Sequence, residues 1–413
     1  MSDQKFYYII VSCITFVDIE IRVCSNSATM ILLIFRKCQR PVNVVISYRK
    51  FCQKSISNDL VLIPRVDLGM PTEEIVNQIL RAARSGGPGF FYLLNHGIEH
   101  SIFENTIQEA RNFYLQPLEK KMEISFSGYA GSPLNKSSKG YTNPGFEGNY
   151  AKDVCTDIRP NTEQASEEKN MRESLVYRYP ELNRNERPYL VDYKKFIDQQ
   201  EDRIDPIMDI SVIGPAAQRF YAPNQWPNEE QFPNFRSAIE AYLEEMAKIA
   251  EKMFEMFLLA LRKELNVSTD HHFYHYDTAM TTFNLAHYPP STTKGLGISD
   301  HTDWELFTLL YPNFYPIKND IAYTGLEIWY QGGWVRIPHI PGAIIVNQGE
   351  MLSRFSKGRF KPPVHRVQAM HKKDRYSLVS FWAPNYETRL PDSNARSKHV
   401  LSGEYYLMRN NMV

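Results

Sequence analysis

The spacing of apolar residues changes along the chain, and each change predicts a different kind of element. In PTEEIVNQILRAARSGG (71–87), Ile75, Ile79 and Leu80 share one helical face, Pro71 suits the first turn and Gly86–Gly87 stop the helix. FFYLLNHG (90–97) is a short apolar run closed by turn residues, which predicts a buried strand. SIFENTIQEARNFYLQP (101–117) predicts a second helix ended by Pro117. Phe235, Ile239, Tyr242, Met246, Ile249, Met253 and Met256 then recur at steps of four and three. That is a long amphipathic helix, and its Met-rich stripe is expected in the core rather than in a partner groove.

After about residue 278 the period shortens. TAMTTFNLAHYPP, LFTLLYP, GLEIWYQGGWVRIP, GAIIVNQG, VHRVQAM and YSLVSFWAP follow one another, separated by Gly, Pro, Asn and charged turns. Many short strands with turn signals predict a sandwich or barrel. Elsewhere the pattern is weaker. LVLIPRVDLGM (60–70) is strand-like, and KSSKGYTNPGFEGN (136–149) reads as loop. The stretch 162–206 is strongly charged and reads as short solvated helices or a mobile insertion.

The first 58 residues differ in character from the rest. Their apolar runs, FYYIIVSCITFV (6–17) and ATMILLIF (28–35), fall short of the roughly 20 residues that cross a bilayer. The first could pass for the apolar part of a signal peptide, but no clear small-residue cleavage site follows it. A poorly ordered extension, or a mis-assigned start, is the expectation for 1–58. The remaining division is an N-terminal region at 59–235 with a variable charged insertion, a long helix and connection at 236–278, a strand-rich core at 279–385 and a C-terminal segment at 386–413.

Composition narrows the function classes. The chain has 413 residues, 43% hydrophobic and 13% aromatic, enough for a sizeable core. Lys plus Arg equals Asp plus Glu at 47 each, so there is no electrostatic footprint for nucleic acid or an anionic membrane. Neither is expected as a partner. Cys13, Cys24, Cys38 and Cys52 crowd the start, and only Cys155 follows. A main body with one cysteine suits a reducing, cytoplasmic setting.

Candidate chemistry centres on DHTDWELFTLL (300–310). In an extended segment residues two apart point the same way, so His301 and Asp303 can aim an imidazole and a carboxylate at one point. His365 in KPPVHRV is the best candidate for a third ligand. Two histidines and one carboxylate form the facial triad of non-haem Fe(II) oxygenases, which leaves positions open for a chelating co-substrate and dioxygen. In RYS (375–377), Arg375 can fork onto a carboxylate, with Ser377 on the same strand face.

With these residues, LIPRVDLG…GGPGFFYLLNHGI, LGISDHTDWELFTLLYP, GLEIWYQGGWVRIPHIPGAIIVNQGEML, FKPPVHRV and RYSLVSFWAP, the chain resembles the iron(II)- and 2-oxoglutarate-dependent dioxygenases of the isopenicillin N synthase-like group. The resemblance covers roughly 60–125 and 279–385. It implies a mainly β fold with flanking helices around a double-stranded β-helix (jelly-roll) core. It implies His301, Asp303 and His365 as Fe(II) ligands, with Arg375 and Ser377 on the distal carboxylate of 2-oxoglutarate and Tyr288 of HYPP near that co-substrate. It further implies dioxygen as oxidant, ascorbate as an accompanying reductant, and a small organic substrate that is hydroxylated, desaturated or cyclised while 2-oxoglutarate becomes succinate.

The chain departs from the pattern in places. Many relatives carry asparagine two residues before the tyrosine, where this chain has Ala286, and Asn284 is expected to reach that role only by a register shift. Glu350 in NQGE and the charged stretch 162–206 are further departures. Two other readings stay open: an isopenicillin N synthase-like oxidase that does not use 2-oxoglutarate, and a non-catalytic metal-binding jelly roll. Nucleic-acid demethylases usually carry a second arginine where this chain has Phe381.

The other histidines are expected to be structural. His271 and His275 in DHHFYHYD read as a surface or helix-end cluster, His96 as a turn residue, and His287 and His339 as packing residues. GGPG (86–89) lies after a helix and before a strand, the wrong order for a phosphate cradle. Residues near Trp304, Phe381 and Trp382, with the variable 126–232 region, are expected to line the substrate pocket.

Overall fold

The computed structural model describes residues 63–125, 139–144, 172–179, 223–266, 279–290, 295–313, 323–369, 374–391 and 400–409, together with the backbone of three strands nearer the N-terminus. Those three, β1 (Asp18–Cys24), β2 (Met30–Arg36) and β3 (Asn43–Ser47), form an antiparallel sheet within a compact unit, Met1–Asp59. The apolar run at 28–35 coincides largely with β2, whereas the run at 6–17 lies outside the described residues. Among the described residues no helix is long and apolar enough to cross a membrane.

The second unit, Leu60–Val413, holds the rest. Its N-terminal part contains β4 (Arg65–Asp67), α1 (Thr72–Ala83), β5 (Phe90–Leu94), α2 (His100–Tyr114), α3 (Leu118–Met122), β6 (Gly140–Thr142) and β7 (Glu173–Tyr177). In α1 the predicted face is the buried one, with Ile75, Ile79 and Leu80 inside and Glu73 and Glu74 in the first turn, where the helix dipole favours acids. The long helix α4 (Phe235–Leu265) buries every member of the predicted stripe and ends at Asn266, whose positive φ of 51° closes it. The Met-rich face is therefore core.

Eight strands then follow: β8 (Ala279–Tyr288), β9 (Leu296–His301), β10 (Phe307–Asn313), β11 (Tyr323–Tyr330), β12 (Gly333–Pro338), β13 (Ile344–Gln348), β14 (His365–Gln368) and β15 (Arg375–Asn385). They build a large sheet of order β4-β5-β13-β10-β15-β8-β7-β6 and a smaller one of order β12-β11-β14-β9. Gln331 and Gly332, both at positive φ, turn β11 into β12. A short helix α5 (Glu350–Phe355) follows β13, and the chain finishes with β16 (Arg389–Leu390), β17 (Val400–Leu401) and α6 (Ser402–Arg409).

Alternation along the strands creates two cores. Phe283, Leu285, Leu378 and Trp382 face α4 and its neighbours. Ala286, Tyr288, Leu310, Ile345 and Val379 face the other way, against Ile298, Leu326, Ile328 and Val367 of the smaller sheet. The two sheets close over this second cluster as a jelly roll flanked by helices.

Two expectations need correction. The loop expected at 136–149 contains β6, and the charged stretch expected to be solvated contains β7, every residue of which is buried. The reason is local. Leu175 and Tyr177 pack on the helix side while Ser174 and Val176 face the other way, an alternation too short to stand out among charged flanks.

Candidate active site

His365 opens β14 and lies directly across from His301, the last residue of β9. Asp303 follows two residues later in the turn that leads to β10. One donor atom from each of the three lies within 4.8 Å of the others. Asp303 Oδ1 is 3.7 Å from His301 Nε2 and 3.6 Å from His365 Nε2. The imidazole centroids are 4.2 Å apart.

Backbone carbonyls set the ring tautomers. His301 Nδ1 lies 2.8 Å from the Ser299 carbonyl oxygen, and His365 Nδ1 lies 3.1 Å from that of Pro363. A carbonyl only accepts, so each Nδ1 carries the proton and each Nε2 turns its lone pair toward Asp303. The edge of Phe90 limits His365 from the side, with centroids 5.5 Å apart.

The carboxylate is oriented just as firmly. Asp303 Oδ2 accepts hydrogen bonds from Thr308 Oγ1 and, at 2.7 Å, from Asn347 Nδ2. Oδ1 is left to face the two histidines. The turn itself is pinned where Glu350 N–H donates to Asp303 O at 2.9 Å and Gly349 N–H donates to Leu306 O at 2.8 Å. Gly349 must be glycine here, because a Cβ would stand 2.1 Å from the Glu305 carbonyl oxygen. Glu350 also accepts from Thr302 at 2.6 Å, from Arg409 at 2.9 Å and from the Tyr405 hydroxyl, which ties α6 to the same turn.

Electrostatics keep two of these donors available. Burial, helped by the charge of neighbouring His365, lowers the His301 pKa to about 4. Burial works against the charged form of Asp303, but the two imidazoles and the bonds from Thr308 and Asn347 outweigh it and hold the pKa below its ordinary value. Two imidazole nitrogens and one carboxylate oxygen, converging from one side, are a donor set that suits Fe(II) with positions left for other ligands.

Beyond the triad, Arg375 and Ser377 lie on the same face of β15 and are almost fully buried. Among the described residues, all three guanidinium nitrogens of Arg375 and the Ser377 hydroxyl lack a hydrogen-bond partner. The guanidinium stacks over the Tyr288 ring, 4.3 Å from its centroid, on the facing strand β8. A buried cation with every donor idle is costly unless an anion completes it. Gly325, at φ +82°, leaves room beside it, since a Cβ there would meet Arg375 Nε at 3.3 Å. The cradle fits a carboxylate.

The remaining expectations sort by strand face. Ala286 sits opposite Ser377, and Asn284 lies two residues along on the same face, so no register shift is needed to bring Asn284 inside. His287 points to the opposite side, 2.7 Å from both Glu173 and Asp374 carboxylates. His96 is a turn residue, with Nε2 2.7 Å from the Gly342 carbonyl and Nδ1 accepting from Ile98 N–H. Phe381 packs partly buried against the inter-sheet core, and Trp304 beside Tyr406 with centroids 6.0 Å apart. Trp382, whose parity differs from that of its neighbour Phe381, is buried on the helix side. His271 and His275 lie outside the described residues. Thr308 and Asn347 escaped notice in the sequence, although each is a polar residue interrupting an apolar strand.

Comparison with known proteins agrees with this geometry. Residues 275–384 match the model of the 2OG-Fe(II) oxygenase superfamily, and residues 63–181 match that of the non-haem dioxygenase in morphine synthesis N-terminal region. The chain is 28% identical over 346 residues to the 2-oxoglutarate-dependent dioxygenase citB of Monascus ruber, covering 79% of this chain and 86% of that one. It is 27% identical to azadirone synthase LFS of Melia azedarach, covering 78% and 81%. Among solved structures, a full-length Neurospora crassa protein in complex with alpha-KG superposes with a TM-score of 0.57 at 22% identity, covering 85% and 96%. The rice dioxygenase for auxin oxidation does so with a TM-score of 0.52 at 17% identity, covering 85% and 95%, and both share the fold. The chain belongs to the 2OG-Fe(II) oxygenase superfamily.

Proposed function

We propose that His301, Asp303 and His365 hold the Fe(II), and that Arg375, Ser377 and Tyr288 hold the 2-oxoglutarate, of a dioxygenase that oxidises a small organic molecule. The observation that carries this reading is the pairing of two features on one interior surface. Three donor atoms lie within 4.8 Å of one another, and a buried arginine–serine pair has no hydrogen-bond partner among the described residues. With Fe(II), 2-oxoglutarate and dioxygen bound, the reaction couples loss of carbon dioxide from 2-oxoglutarate, giving succinate, to oxidation of a substrate C–H bond.

The chain's own part is positional. Ser299 and Pro363 carbonyls keep the Nε2 atoms facing inward, and Thr308 and Asn347 keep one carboxylate oxygen directed at the metal position. Arg375 and Ser377 fix the far end of the co-substrate, and the apolar cluster around Val379, Leu310 and Ile345 keeps the space dry. Similar folds have been solved with thymine bound in the Neurospora crassa protein and with JA bound in JOX2, which supports a compact organic substrate here. The catalytic core is assigned to 279–385 and the N-terminal region to 59–235. The single cysteine of the main body supports a cytoplasmic setting.

The test measures oxygen uptake and succinate release by the Fe(II)-loaded protein with and without 2-oxoglutarate, across a panel of small organic substrates. Succinate formed in step with oxygen uptake is the expected result. Oxygen uptake with no need of 2-oxoglutarate would instead mark an oxidase in which Arg375 and Ser377 bind the substrate's own carboxylate.

A further inference from the structure

Behind the arginine–serine cradle, on the opposite face of the same strands, lies a buried cluster of charges. His287 stands between Ala286 and Tyr288 on β8 but points away from the inter-sheet core. It lies across from Glu173 of β7 on one side and Tyr376 of β15 on the other. Its Nδ1 is 2.7 Å from Glu173 Oε1, and its Nε2 is 2.7 Å from Asp374 Oδ1. A carboxylate only accepts, so each ring nitrogen donates, and only an imidazolium has two N–H donors. The ring packs nearly parallel to that of Tyr376, with centroids 4.7 Å apart, and 5.0 Å from the centroid of Tyr114 on α2. Aromatic faces at these distances suit a cation.

The surrounding groups complete a matched set. Lys121 Nζ of α3 lies 2.7 Å from Glu173 Oε2, and the Tyr141 hydroxyl of β6 donates to the same oxygen. Burial works against the charged form of Glu173, but the bonds from His287, Lys121 and Tyr141 outweigh it and hold the pKa below its ordinary value. Arg111 of α2 lies over the Tyr376 ring, 5.6 Å from its centroid. Two carboxylates, Glu173 and Asp374, are thus met by two cations, Lys121 and protonated His287. A neutral ring could satisfy only one of its two carboxylates. Buried Glu173 would keep the remaining N–H, whereas the Asp374 side chain is 49% exposed and can turn to water.

Asp374 immediately precedes Arg375, and His287 immediately precedes the Tyr288 ring on which the Arg375 guanidinium stacks. We propose that His287, doubly protonated and bridging Glu173 to Asp374, is a positioning residue that fixes the start of β15 against β8, so that 2-oxoglutarate affinity falls when the ring loses a proton. This role presupposes that the Arg375 cradle takes 2-oxoglutarate, as proposed above. His287 acts from the far face of the strand, through Arg375 and Tyr288.

The experiment loads the full chain anaerobically with saturating Fe(II) and titrates it calorimetrically with 2-oxoglutarate from about pH 5 to about pH 8, the range in which histidine changes charge. Each variant is read relative to wild type at the same pH, which removes titrations common to both. Wild-type affinity is expected to fall about tenfold across the range, the order of one hydrogen bond to a charged group. His287→Gln is neutral throughout, so it is expected to bind weakly at low pH and to converge on wild type as pH rises. Asp374→Asn is the compensating change: its carboxamide can donate to a neutral ring, so it is expected to keep the tight, low-pH affinity at high pH. A residue with only a packing role would lower affinity by one factor at every pH. Melting temperatures accompany the titrations. If His287→Gln fails to fold, Asp374→Asn and Asp374→Ala carry the test, the alanine variant being expected to bind weakly at every pH. A variant-to-wild-type ratio that stays constant with pH, or wild-type affinity in His287→Gln at low pH, overturns the role of His287 and leaves the function standing. Failure of the wild-type protein to bind 2-oxoglutarate at any pH overturns both.

Discussion

Asn347 Nδ2 donates to Asp303 Oδ2 at 2.7 Å, so the carboxylate on the β9–β10 turn is aimed by a residue 44 positions away. With Thr308 on the same oxygen, rotation of the carboxylate is blocked and Oδ1 alone meets the histidines. Removing one such support typically costs a metal site about 10–100-fold in affinity. Asn347→Ala is therefore expected to weaken Fe(II) binding by that order while the protein still folds. Anaerobic metal titration with a competing chelator checks this, and an unchanged affinity would remove Asn347 from the site.

Arg375 presents a planar fork with no hydrogen-bond partner among the described residues, and a lysine cannot reproduce that fork. Arg375→Lys is expected to raise the 2-oxoglutarate dissociation constant by about 10–100-fold, with Fe(II) affinity unaltered. Titration of the Fe(II)-loaded variant reads the effect directly. Equal affinity for lysine and arginine would mean that the distal carboxylate sits elsewhere.

Gly297 packs so closely on Tyr288 that a Cβ would stand 2.7 Å from the ring. Gly297→Ala must therefore push the ring that carries the Arg375 guanidinium. Overpacking of this kind costs about 1–3 kcal/mol. The expected outcome is a lower melting temperature together with weaker 2-oxoglutarate binding, and a variant with neither would show that the ring can shift freely.

Burial, reinforced by the charge of Asp303, raises the Glu305 pKa from its ordinary 4.5 to about 8. Between those values the folded protein keeps a proton that the unfolded chain has released. The stability contributed by this group is whole below about pH 4.5 and is lost as pH rises through 8. Glu305→Gln has no proton to lose, so metal-free variant protein is expected to lose less stability than wild type between pH 5 and pH 9. Parallel melting-temperature profiles for the two would contradict this.

Much of the fold can be followed in the chain because its signals are local. The stripe from Phe235 to Met256 predicts α4, and the turn-punctuated runs after 278 predict the strands, since periods of 3.6 and 2 are properties of short segments. The face of Ser377 relative to Arg375 is equally legible, and parity along YSLVSFWAP is enough to place Trp382 on the face opposite Phe381. Strands β6 and β7 were hidden, being short elements at one end of the large sheet in polar surroundings, whose burial depends on strands far away in sequence.

By itself, then, the sequence determined the helices, the strand-rich core and the local pairing of His301 with Asp303, because spacing along an extended backbone decides which side chains point together. Only the tertiary structure decided that His365 stands across from His301 on a neighbouring strand and that Thr308 and Asn347 orient the acid. Those relationships are set by strand order and register, which arise from packing two sheets over a shared core rather than from the residues of any one segment.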